Sequence, residues 1–217
     1  MIYNACCCGG GAARKTTLAE LAEGSIIRLA EGDSLARFIV AKHDYESGLN
    51  GTGRTLVVRK DCYSEERWNS YSNGNAYASG NIDNWLNYVY KDLLSTIPKP
   101  AIEPVKIRYT IGNKNNTVST LQREIFLLSA TELGVTDPYI NTEGSALKIA
   151  SSLRIAYKNG SLCIQWTRSP YKRGDNSVVY FGTNGNIGTD TCSAEHGSRP
   201  AFTLPSTIDV NELGVII

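Results

Sequence analysis

From Leu18 onward the chain is punctuated by short apolar runs separated by turn-forming residues. Ser25-Ile26-Ile27-Arg28-Leu29, the run Ala36 to Lys42 and the run Arg54 to Lys60 combine β-branched and aromatic residues. Glu23-Gly24, Glu31-Gly32-Asp33 and the Gly48 to Gly53 stretch bound them. Such runs with turn-sized gaps predict three strands of an antiparallel meander. Between Ser79 and Ile97 the period changes. Ile82, Trp85, Leu86, Val89, Leu93 and Ile97 recur at steps of three and four, the spacing of one helix stripe. Ser79 or Asn81 can cap this helix, Asp83 lies in its first turn, and Pro98 and Pro100 end it.

Beyond the prolines the strand pattern returns. Val105 to Ile111 alternates, Glu124 to Ser129 is an apolar run, and Ser161 to Arg168, Val178 to Phe181 and Arg199 to Pro205 read as further strands. Asn184-Gly185 is the strongest local hairpin signal, because both residues accept the positive φ angles of a tight turn. The pattern predicts one α+β domain over residues 18–217, mostly antiparallel. The first 17 residues, with Cys6-Cys7-Cys8 followed by Gly9-Gly10-Gly11, read as a separate flexible arm suited to docking or assembly. Adjacent cysteines diverge and lack the C-x2-4-C pairing of zinc sites, so no metal is expected there.

Composition narrows the classes. With 22 Lys+Arg against 21 Asp+Glu over 217 residues, the signs are mixed and the net charge is +1. Nucleic-acid binding, which needs a clustered basic excess, is not expected. No apolar run approaches the ~18–20 residues of a membrane span. The start lacks a secretory h-region, so the expectation is folding in a cytoplasm with free thiols.

A search for chemistry finds no P-loop, G-x-S-x-G elbow, H-E-x-x-H or calcium-loop pattern, and no cofactor is expected. His43 and His196 are the two histidines. Cys192, four residues before His196, leaves open a thiol nucleophile with a histidine base, against the default of an inert thiol. The informative feature is a frame. Trp166, Arg168, Arg199 and Pro200 bracket a polar stretch, residues 170–196, containing Tyr171, Arg173, Asp175, Asn176, Tyr180, Asn184, Asn186 and Asp190. Two arginines near strand ends can fork into carbonyls or a carboxylate and fix the stems of such a stretch. Its Tyr, Asn, Ser and Gly content is that of paratopes, so it reads either as a display loop that binds a partner or as a solvated polar hairpin.

At these residues the sequence resembles a domain of unknown function found in Firmicutes and their phages. The resemblance is carried by Ser79 to Asn87, Ile125 to Gly134, Arg154 to Ser161, Trp166 to Pro170 and Arg199 to Pro205, in that order, and spans Leu18 to Val210. The ending is also similar to the C-type-lectin-like fold of formylglycine-generating-enzyme relatives and phage tropism proteins. That similarity implies two helices flanking small twisted antiparallel sheets, with long display loops. Neither calcium-dependent sugar binding nor oxidase activity is implied, because Glu103-Pro104-Val105 departs from the lectin calcium motif and Cys163 and Cys192 lack the enzyme's cysteine setting. The resemblance implies a bacteriophage virion component on the particle surface, a homo-oligomer rather than an enzyme. It would contact other virion proteins through residues 1–15 and a host surface protein or glycan through residues 170–196. A purely structural decoration, collar or baseplate subunit is the alternative.

Overall fold

The computed structural model describes residues 15–78, 80–94 and 101–217. The arm up to residue 14, the cap Ser79 and the helix end at Ile97, Pro98 and Pro100 lie outside the described residues.

The described residues form sixteen strands: β1 (Thr16–Thr17), β2 (Ile26–Glu31), β3 (Ser34–Lys42), β4 (Arg54–Arg59), β5 (Ser64–Arg67), β6 (Val105–Gly112), β7 (Asn115–Arg123) and β8 (Ile125–Phe126). After these come β9 (Ala156–Lys158), β10 (Ser161–Cys163), β11 (Gln165–Pro170), β12 (Ser177–Phe181), β13 (Ile187–Thr191), β14 (Glu195–Ser198), β15 (Ala201–Pro205) and β16 (Asp209–Val210). The expected meander β2-β3-β4 is formed, and β15 and β8 extend it to a five-stranded sheet in the order β2-β3-β4-β15-β8. A second sheet runs β13-β12-β11-β14-β5, antiparallel except where Gln165 of β11 meets Gly197 of β14 in parallel. The hairpins β6-β7 and β9-β10 and the pair β1-β16 complete the strand pairing.

The α+β, C-type-lectin-like expectation with two flanking helices is overturned. The molecule is mostly β, with 41% strand against 14% helix. Among the described residues a single helix, 81–93, exceeds five residues; Ser47–Asn50 and Ala150–Leu153 are single turns. Residues 139–154 run mostly as irregular chain, with one helical turn at Ala150–Leu153.

The predicted helix stripe also shifts. The segment is α-helical over Asn81–Trp85, a π-turn over Leu86–Tyr90, and α-helical again over Lys91–Leu93. A π-turn inserts one residue into the 3.6 period. Ile82, Leu86 and Tyr90 therefore face the core with no exposed surface, while Val89, placed in the stripe by regular spacing, is 55% exposed. The core fills the space between this helix and the two large sheets, with Phe38, Leu56, Val58, Phe126 and Phe202 at its centre.

The span Ser161 to Arg168, read as one strand, breaks after Cys163 into β10 and β11. The run Glu124 to Ser129 pairs only at β8, because from Leu127 onward its backbone serves a buried polar cluster instead.

Candidate functional site

The motif-rich segments converge on two buried polar knots. In the first, the Arg168 guanidinium, with no exposed surface, donates to Glu132 Oε2 at 2.6 Å and to the carbonyls of Leu127 at 2.7 Å and Arg108 at 2.8 Å. Glu132 also accepts from Tyr45 Oη at 2.6 Å and from the Ser129 amide at 2.8 Å. Glu143 accepts from the Thr110 amide at 2.6 Å and from Ser169 Oγ at 2.5 Å. Burial holds the Glu143 carboxyl above its usual range, opposed in part by Arg168 and by these hydrogen bonds. Burial and the neighbouring Glu132 charge push the Tyr45 hydroxyl up.

In the second knot, Arg199 donates to the carbonyls of Arg59 at 2.8 Å and Leu153 at 2.7 Å, and to Gln165 Oε1 at 3.3 Å. Pro200, beside it, accepts the Arg59 amide through its carbonyl. Trp166 is 2% exposed and donates its indole N–H to the Glu66 carbonyl at 2.9 Å. The two arginines fork into carbonyls, but those of Leu127, Arg108, Arg59 and Leu153, all outside the 170–196 stretch. They brace the sheet beneath that stretch.

The stretch itself is not a long display loop. It is the hairpin β12-β13, with Val178 opposite Asp190 and Tyr180 opposite Gly188, preceded by a short loop and closed by a tight turn in which Gly185 has φ +75°. The eight candidate residues fall into three places. Before β12, the Tyr171 ring lies tilted against Tyr139, 5.8 Å between centres, and Arg173 hydrogen-bonds the Tyr139 hydroxyl and lies 3.7 Å from its ring centre. In the same loop Asp175 pairs with Lys114 at 3.1 Å, which holds its carboxyl below the usual range, and the Asn176 carbonyl accepts the Cys192 amide. Asn184 and Asn186 lie at the far end, in the exposed turn. Tyr180 and Asp190 lie on the strands between.

Those last two meet a residue the sequence frame did not include as a binding residue. His196 on β14 bonds Asp190 Oδ2 through Nε2 at 3.0 Å, and its ring packs 4.4 Å from Trp166 and 5.2 Å from Tyr180. Tyr180 lies flat over Gly188, where a Cβ would fall 2.4 Å from the phenol ring. The result is a row of Trp166, His196 and Tyr180 across one face of the second sheet.

The nucleophile pair of Cys192 and His196 is not formed. Cys192 is fully buried, its sulfur faces the Ser70 carbonyl at 3.5 Å and Asn176 Oδ1 at 3.9 Å, and burial pushes its thiol up. His43 is likewise occupied, between Thr55 Oγ1 at 2.9 Å and the Leu21 carbonyl at 2.8 Å. Among the described residues no group of three or more His, Cys, Asp or Glu could hold a metal ion, and no helix is long and apolar enough to cross a membrane.

Sequence reasoning missed the apolar surface beside the hairpin turn. Ile155, Tyr157, Leu162 and Ile187 are 40–50% exposed. Tyr157 and Leu162 are cross-strand partners in β9-β10, so they share a face. A depression lined by Arg154, Phe181, Gly185 and Ile187 leads into a second with Ile164, Tyr180, Thr183 and Asn184. A third continues past Leu162, Cys163 and His196. The signal was present as apolar residues at both ends of a strand pattern too short to bury them.

No curated protein and no solved structure matches this chain. The model of DUF6273, described as a domain of unknown function, matches residues 52–206, a narrower span than Leu18 to Val210. Apart from Tyr45, the residues of the polar knots and the braced hairpin lie within that span, and the chain belongs to the DUF6273 family.

Proposed function

We propose that this domain is a contact module of a bacteriophage particle, made in the bacterial cytoplasm and carried on the virion surface, and that it binds a host surface protein through the β12-β13 turn and the adjoining β9-β10 face. The observation that carries the contact role is the cluster of Ile155, Tyr157, Leu162 and Ile187 around the polar turn of Asn184 and Asn186. Contiguous apolar surface rimmed by polar groups marks protein contacts, whereas singly scattered apolar residues do not. Rigid support beneath it, from the Arg168 and Arg199 knots, lowers the ordering cost of association. The virion setting rests on the motif resemblance, as do attachment through residues 1–15 and assembly as a homo-oligomer. Only the similarity of the ending, Trp166 to Pro170 and Arg199 to Pro205, speaks for kinship with lectin-like domains, and it carries no sugar-binding argument.

The test is a set of Asn184→Ala, Asn186→Ala and Tyr180→Ala variants, scored for adsorption of purified protein to host cells and for incorporation into particles. Loss of adsorption with normal incorporation supports the reading. Failed incorporation with intact adsorption assigns the face to virion assembly, the purely structural alternative.

A further inference from the structure

Cys62 follows β4, and Cys163 ends β10, 101 residues later in the chain. Their sulfurs lie 3.1 Å apart. Both are free thiols; Cys62 is buried and Cys163 is partly open to the depression lined by Leu162, Thr183 and His196. About 1 Å of approach separates this contact from the ~2.05 Å of a disulfide bond.

The surroundings are built to hold the pair. Cys62 is fixed through its backbone, its amide donating to the Tyr157 carbonyl at 2.8 Å and its carbonyl accepting from Arg59 at 3.0 Å. Gly197 leaves room for the thiol, since a Cβ there would fall 2.5 Å from the Cys62 sulfur and 2.7 Å from the Ile164 carbonyl. Behind the pair lies the Arg199 guanidinium, which bonds carbonyls and Gln165; among the described residues no carboxylate forms an ion pair with it. A buried guanidinium without a carboxylate favours a nearby anion, and a thiolate is one. Arg59, by contrast, is neutralised by Glu31 at 2.8 Å.

We infer that Cys62 and Cys163 form a reversible dithiol–disulfide site, with Cys163 as the attacking thiol and Cys62 as the resolving one. Hydrogen bonding with Cys62 and the positive Arg199 pull the Cys163 thiol down, while the same pairing and burial push Cys62 up. The oxidant is a low-molecular-weight disulfide. The Cys163 thiolate attacks one of its sulfurs, forming a mixed disulfide and expelling one thiolate. That thiolate takes up the Cys62 proton; the Cys62 thiolate then attacks the Cys163 sulfur and expels the second thiolate, which takes from solvent the proton that Cys163 gave up on ionising. The protein loses two electrons and two protons, and the small disulfide leaves as two thiols.

The test incubates the reduced full-length native protein with oxidised glutathione and maps its peptides without reduction. The expected product is a Cys62–Cys163 cross-linked peptide, reversed by dithiothreitol, with Cys192 still reduced. In Cys62→Ser, Cys163 should instead accumulate a stable mixed disulfide with glutathione. The inference is overturned if Cys62 and Cys163 both stay reduced while Cys6, Cys7 and Cys8 react. Cross-linking that begins only once denaturant unfolds the chain overturns it equally.

Discussion

Arg168 shows what a single residue does here. A guanidinium with no exposed surface has left water entirely, and Glu132 together with three carbonyls takes the place of its hydration. Removing one partner of such a pair costs about 3–5 kcal/mol, because the other charge stays buried and unpaired. Glu132→Ala should therefore lower the unfolding free energy measured in denaturant melts by that amount, without changing the fold of the surviving native state. Glu143 makes a pH prediction. Its native carboxyl titrates above its unfolded value, so the native state binds more protons over that interval. Its contribution to stability should fall as pH rises from about 4.3 through the raised native value. Glu143→Gln should flatten that slope in a series of urea melts, and an unchanged slope contradicts the burial argument. Trp166, Arg168 and Arg199 were legible as residues that need buried partners, because large or forked side chains beside strand ends carry donors to satisfy. The carboxylates were not, since Glu132 lies 36 residues from Arg168 and Glu143 lies 26 from Ser169, and nothing local marks which distant acids will meet them.

At the scale of elements, apolar alternation found the strands that are buried and missed those that are polar. β5 reads Ser-Glu-Glu-Arg, β13 reads Ile-Gly-Thr-Asp-Thr, and β7 is exposed or half-exposed throughout. Such strands are held by neighbours' backbones and not by their own burial, so hydrophobic pattern carries no trace of them. The helix was legible, yet its register was not, since a π-turn has no periodic signature. Two substitutions separate the registers. Val89→Lys should change stability by no more than ~0.5 kcal/mol, where a regular helix would lose a core residue. Tyr90→Phe should cost about 1–3 kcal/mol, because Glu31 then loses the buried hydroxyl that bonds it. Thermal melts of the two variants check both values, and a reversed order contradicts the shifted register. On the second sheet, Gly188→Ala should displace the Tyr180 ring, visible as a loss of near-ultraviolet circular dichroism around the Trp166 row.

For the whole molecule, the lesson of the fold class is that short strands and one helix do not reveal their proportions until paired. Similarity of the ending to lectin-like domains led to an expectation of two flanking helices, and the described residues instead build two five-stranded sheets with separate hairpins beside them. The polar stretch was legible as a hairpin through Asn184-Gly185, and its apolar neighbours on β9-β10 were not, because their adjacency is made by the β10-β11 break and by the turn at Gly185 packing beside Ile155. The central claim is that this joint surface exists to be covered by a partner. Leu162→Asp and Ile187→Asp, both at exposed positions, should leave the melting temperature within about 2 °C of the parent, since such changes cost little. The most direct measurement is hydroxyl-radical footprinting of the purified protein, free and bound to host cell envelopes. The account predicts selective protection of Tyr157, Leu162 and Ile187 on binding, with Tyr71 and Tyr88 labelled equally in both states. Bound protein whose Tyr157, Leu162 and Ile187 label as fast as in the free state would contradict it.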